Sequence, residues 1–136
     1  MKKAGYKKLV NYWQVTAAHD FDTMESLFKA KRYDASLFFA HIVLEKILKA
    51  LVVEETKDHA PYTHDLVKLA QITQAVFDTQ EIKFFDEVND FNMESRYPEQ
   101  KLEFYKTCTR EYAQNYIKEV EKIYKKVCQK LKQQKS

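Results

Sequence analysis

His41, Glu45 and Lys49 follow one another at four-residue steps inside a segment that is otherwise almost wholly apolar, "ASLFFAHIVLEKILKALVVEE". On a helix that spacing puts an imidazole, a carboxylate and an ammonium on one narrow stripe, with Lys46 beside it. Such a row can hold a proton, bind an anion or satisfy itself. Glu45 placed four residues before Lys49 is also the favourable order for an ion pair within a helix. The plain structural reading makes the stripe the solvent edge of the helix. A helix this apolar has little edge, however, so the three side chains are expected to be half-buried and to need partners.

The stretch "NMESRYPEQ" supplies the obvious one. A guanidinium pairs bidentately with a carboxylate, so Arg96 is expected to reach Glu45 from across the fold. Tyr97 is then a half-buried plug and Pro98 the first residue of the last helix. In the functional reading Arg96 and Tyr97 stand at the mouth of a groove, where they meet a phosphate or a partner's carboxylate. His64-Asp65 opens the third helix; this reads as a cap, with an anion site at the helix start as the alternative. Arg96, Tyr97, His41, Glu45, Lys49 and His64 are therefore the candidate ligand-binding residues, and no residue is assigned a catalytic role.

Other arrangements carry less. His59 and His64 lack the second histidine or cysteine pair that a metal site requires, so no metal is expected. His19-Asp20 has no serine or cysteine placed beside it and reads as a boundary pair. Gly5 is the lone glycine, which excludes a glycine-rich phosphate loop, and no cofactor is expected. Cys108 and Cys128 fall in one expected helix, too far apart to bridge, and read as small buried hydrophobes. With no Cys-x-x-Cys and no signal-peptide pattern, the expected setting is a reducing cytoplasm.

The elements that must position these residues are helical. One glycine and two prolines in 136 residues leave little turn chemistry for hairpins. The 3.6-residue periodicity predicts four helices. The first, about residues 3–30, presents Leu9, Trp13, Ala17, Met24 and Phe28 on one face. The second, about 35–55 and capped by Asp34, is apolar nearly all round and belongs in the middle of a bundle. The third, "LVKLAQITQAVF", is continued beyond a break near Asp78 by a segment capped by Thr79. The fourth runs unbroken over about 99–132, with a seam from Leu102 and Tyr105 through Thr109, Tyr112, Tyr116, Val120, Ile123, Val127 and Leu131. The expected fold is all-α, one domain over 1–136, an antiparallel up-down four-helix bundle with a split third helix and a long C-terminal helix.

The 45% hydrophobic and 32% charged fractions are those of a globular protein. Its apolar runs are too short to span a bilayer, so no membrane partner is expected. Residues 78–103 carry eight acids against three bases, and residues 117–136 carry seven lysines against two glutamates. The uneven charge fits complementary helices or subunits, or a nucleic-acid contact at the lysine-rich end. Because one bundle leaves apolar surface uncovered, a homodimer is expected.

With these elements in place, the run "RYDASLFFAHIVLEKILKALVV", then "THDLVKLA" and finally "SRYP" resemble the HEPN domain. "YWQVTAAHDFDTMESLF" matches that family's first helix, with Trp13, Ala17 and Asp20 in the expected places. The resemblance spans about Tyr12 to Pro98. It implies a compact bundle of four to five helices that usually dimerises. The family's name refers to nucleotide binding, and many members are encoded beside a minimal nucleotidyltransferase. RNA-cutting members, including toxins of toxin–antitoxin pairs, carry an arginine followed by a histidine after four to six residues. Here "YPEQKLEFYKTCTRE" follows Arg96 without any histidine, and Arg32 and Arg110 have none at that spacing. What the resemblance implies is thus a non-catalytic binding module for a nucleotide, a nucleotidyltransferase partner chain, or both. The alternatives are a toxin-like ribonuclease with a rearranged site, where His41 or His64 returns through space, and a purely structural dimer.

Overall fold

The computed structural model describes residues 3–74, 77–93 and 96–133. Among them six helices and no strand occur: α1 (Lys3–Lys29), α2 (Tyr33–Thr56), α3 (Leu66–Ile72), α4 (Thr79–Asn89), α5 (Pro98–Thr107) and α6 (Arg110–Gln133). The fold is all-α, as the periodicity predicts.

Apolar residues on every side of α2 put it at the centre. Leu37, Ala40, Val43, Leu44, Ile47, Leu48, Leu51 and Val53 are all fully buried. Helix α1 packs most extensively against it and α6 next. Met24 of α1, Phe85 of α4 and Ile123 and Leu131 of α6 complete the interior. Phe21 stacks on Tyr124 at 4.6 Å between centroids and joins α1 to α6.

Four boundaries differ from the sequence expectation. Helix α2 begins at Tyr33 with Arg32 in the cap position, so Asp34 lies in the first turn, where a carboxylate favours the exposed N–H groups. At α4 the cap is Asp78 and not Thr79. The Asp78 carboxylate accepts from the Glu81 N–H at 2.7 Å, and Glu81 accepts from the Asp78 N–H at 3.0 Å, a reciprocal capping box. Residues 75–76 of the expected third helix lie outside the described residues, and α3 ends at Ile72.

The fourth difference matters most. The expected continuous last helix is two helices, separated at Cys108-Thr109. Cys108 leaves the helical region (φ −78°, ψ 77°) and its side chain turns into the core. The Thr109 hydroxyl then accepts from the Tyr112 N–H at 3.2 Å and restarts the chain as α6. Periodicity misses this because its step of four from Tyr105 to Thr109 carries on into the two non-helical residues, Cys108 and Thr109. Of the expected seam Val120, Ile123, Val127 and Leu131 are buried, Tyr112 and Tyr116 are half-buried, and Thr109 is exposed, as are Leu102 at 52% and Tyr105 at 61%. Ala113 and Ile117, which the seam did not include, are buried. No residue of α5 is buried; Phe104, against Phe91 at 5.4 Å, attaches it to the body.

Candidate functional site

The polar stripe of α2 faces inward. His41 is 2% exposed and Lys49 6%, which rules out the solvent-edge reading for those two side chains. The long segment between α2 and α3 returns over the stripe, and His64 at its end binds it twice. His41 Nε2–H donates to the His64 carbonyl oxygen at 2.9 Å. His64 Nδ1–H donates to Glu45 Oε1, also at 2.9 Å. The other carboxylate oxygen, Oε2, accepts from the Lys49 ammonium at 3.0 Å. Lys49 in turn lies 5.2 Å from the centre of the Trp13 ring, a cation–π contact that helps an ammonium tolerate burial.

The network continues through the expected cap. The Asp65 carboxylate accepts from the Val67 and Lys68 N–H groups at the start of α3. It also accepts from Asn89 Nδ2 at 3.0 Å, while Asn89 Oδ1 accepts from the Leu66 N–H at 2.9 Å. One set of side chains thus fastens the middle of α2, the start of α3 and the end of α4 together.

Since Nε2 of His41 carries the donated proton, its Nδ1 carries none and lies 3.9 Å from Glu45 Oε1. Burial lowers the pKa of His41, and the opposing pull of Glu45 does not cancel that effect. The sign of the resulting pH dependence is fixed. Below the usual histidine value of about 6.5 the unfolded chain binds a proton that the native state refuses, so folding stability falls as pH falls. Its slope for this one group is at most about 1.4 kcal/mol per pH unit. Urea titrations between pH 7.5 and 5 are expected to show this loss, and His41→Gln to flatten it. An identical slope in the variant would remove His41 as the cause.

Four of the six candidate residues, His41, Glu45, Lys49 and His64, are thus brought together. Arg96 and Tyr97 are not. The Arg96 guanidinium pairs with Asp90 at 3.6 Å, and Glu45 spends both oxygens on donors from its own helix and from His64. The expected clamp between Arg96 and Glu45 is therefore corrected. Tyr97 is 73% exposed and plugs nothing, whereas Pro98 begins a helix as expected. Ser95 of "SRYP" lies outside the described residues. The Arg96–Asp90 pair sits at the surface, where such pairs contribute about 0–1 kcal/mol. Arg96→Ala should accordingly lower stability by less than about 1 kcal/mol by thermal or chemical denaturation; a loss of several would restore the clamp.

Two concavities accompany these residues. A cleft of about 80 Å³ is lined by Phe38, His41, Ile42, Glu45, His64 and Asn92. That is room for two or three waters at roughly 30 Å³ each, well short of a nucleotide. An open groove of about 460 Å³ is lined by Asp90, Met93, Arg96, Glu99, Gln100 and Glu103. Three carboxylates against one guanidinium make its field unfavourable for phosphate and favourable for a cationic side chain.

A further polar pair escaped the sequence reading. Asp20 is buried and accepts from Lys46 as well as from the exposed His19. Lys46 beside the stripe was the available signal, since a lysine on so apolar a helix needs an anion. No group of three or more His, Cys, Asp or Glu among the described residues is arranged to hold a metal ion. No helix among them is long and apolar enough to cross a membrane.

Comparison with known proteins places this architecture. The HEPN domain family model matches residues 10–131. No curated protein and no solved structure gives a match.

Proposed function

The chain belongs to the HEPN domain family, and from that premise we propose that it is a non-catalytic binding module. It acts as a homodimer whose ligand is a minimal nucleotidyltransferase chain, a nucleotide, or both. The observation that carries this reading is the commitment of the polar residues to one another. Glu45 is saturated by Lys49 and His64, and His41 gives its proton to a backbone carbonyl. No histidine follows Arg96 at the spacing of RNA-cutting members, and Asp90 occupies its guanidinium. Of the two ligands, the acidic lining of the Arg96 groove favours a protein bearing lysine or arginine over a phosphate-rich nucleotide.

One observation favours the ribonuclease alternative. His64 is half-exposed, and Glu45 holds it through Nδ1, so that Nε2 is the nitrogen available as a base oriented by a carboxylate. A single set of measurements separates the readings. The purified protein is incubated with structured and single-stranded RNA in EDTA. In parallel it is titrated with a co-expressed minimal nucleotidyltransferase and with ATP by calorimetry. The expected results are intact RNA and saturable binding of the protein partner or the nucleotide. RNA cleavage abolished by His64→Ala would overturn the non-catalytic reading, and no binding in either titration would overturn the ligand assignment.

A further inference from the structure

Helix α5 is the least explained element of the fold. It has ten residues, none buried, and carries Leu102 and Tyr105 in water beside the exposed Tyr97. At 100° per residue, Pro98, Leu102 and Tyr105 fall within about 60° of one another, an apolar stripe without a partner. Glu99, Glu103 and the exposed Lys106 fall together along one edge of that stripe, roughly 80–140° round from Pro98.

These two rows are complementary to themselves. When two such helices pack antiparallel, the same edge of each faces the other. The register that sets Leu102 against Tyr105 of a second copy also sets Tyr105 against that copy's Leu102. It places each Lys106 between Glu99 and Glu103 of the other chain, about 3 Å along the axis from either. Contacts in which residue i meets j and j meets i are what a two-fold interface demands. Glu99 and Glu103 also line the Arg96 groove, so the incoming lysine meets the acidic mouth of that groove.

We propose that α5 is a self-association helix, which docks antiparallel on α5 of a second copy of this chain and delivers Lys106 to the acidic edge of the Arg96 groove. The inference rests on the dimer reading given above and names the surface that makes it. A pair of ten-residue helices buries less than the roughly 1,200 Å² of a standard stable interface, so association is micromolar and reversible unless neighbouring surfaces join it.

Sedimentation velocity over about 1–300 μM, a range bracketing such weak association, tests this on the full chain. Wild type is expected to show a reversible monomer–dimer equilibrium. Leu102→Glu and Lys106→Glu should each weaken it at least about tenfold, the effect of losing roughly 1.4 kcal/mol, with helical circular dichroism unchanged because both side chains are exposed. Lys106→Glu makes the edge wholly acidic, and the double variant Glu99→Lys/Glu103→Lys makes it wholly basic. Neither should self-associate, but the two mixed together should form a heterodimer. A wild type that stays monomeric throughout overturns the dimer reading and this inference together. Variants that dimerise like wild type remove α5 from the interface while leaving the dimer intact. Loss of association in both charge variants without recovery on mixing overturns the antiparallel register.

Discussion

Glu45→Ala is expected to lower folding stability by about 3–5 kcal/mol, the range for removing one partner of a buried ion pair. Among the described residues the carboxylate is the only anion placed against Lys49, whose ammonium is buried and leans on Trp13. Without it the ammonium must remain uncompensated, lose its proton, or pull α2 toward water. The same substitution leaves His64 Nδ1–H without its acceptor and frees the loop that precedes α3. Urea denaturation measures the loss directly. Replacing both charges, Glu45→Leu with Lys49→Met, should recover most of the stability, because the desolvation cost disappears together with the attraction. A single variant within about 1 kcal/mol of wild type would mean that Lys49 finds solvent at little cost.

Phe85→Ala should cost a similar amount, about 3–5 kcal/mol, by the different route of a core cavity. Only Phe85 and Val88 of α4 are buried, and Phe85 also receives the edge of Phe77 at 5.2 Å. Deleting the ring empties a fully buried site in a packed core that has little freedom to collapse. Because Asn89 at the end of the same helix clasps the start of α3, the loss should be felt there too. Amide exchange of Leu66 and Val67 is expected to quicken along with that of α4. Fast exchange confined to α4 would show that the clasp does not couple the two helices.

The two largest expected effects thus arise from an ionic and an apolar element of one core, and the sequence disclosed them unequally. Composition and periodicity determined that the chain is helical and that α2 is central, since an apolar surface on all sides has nowhere else to go. They also placed a break near Asp78, the helix start at Pro98, the cap at Asp65 and His41, Glu45 and Lys49 on one stripe, though not which way that stripe faces. Each is a local property, readable from a residue and its neighbours within one turn. Family membership followed from the same motifs in order.

What tertiary structure alone decided was which charge meets which. Glu45 had expected partners at Arg96 and Lys49, and spacing ranks only Lys49. The return of the loop brought His64 to the free oxygen, and Asp90 took Arg96. Lys46 found Asp20 across the contact of α1 with α2, a pairing separated by 26 positions in the chain. The break at Cys108-Thr109 was likewise invisible, because these two residues leave the spacing of apolar positions intact on either side. That break takes Leu102 and Tyr105 out of the core seam and leaves them on the outside of α5. Periodicity reports that a side chain needs cover; whether its own chain supplies the cover depends on where the backbone is carried, and here the backbone turns away.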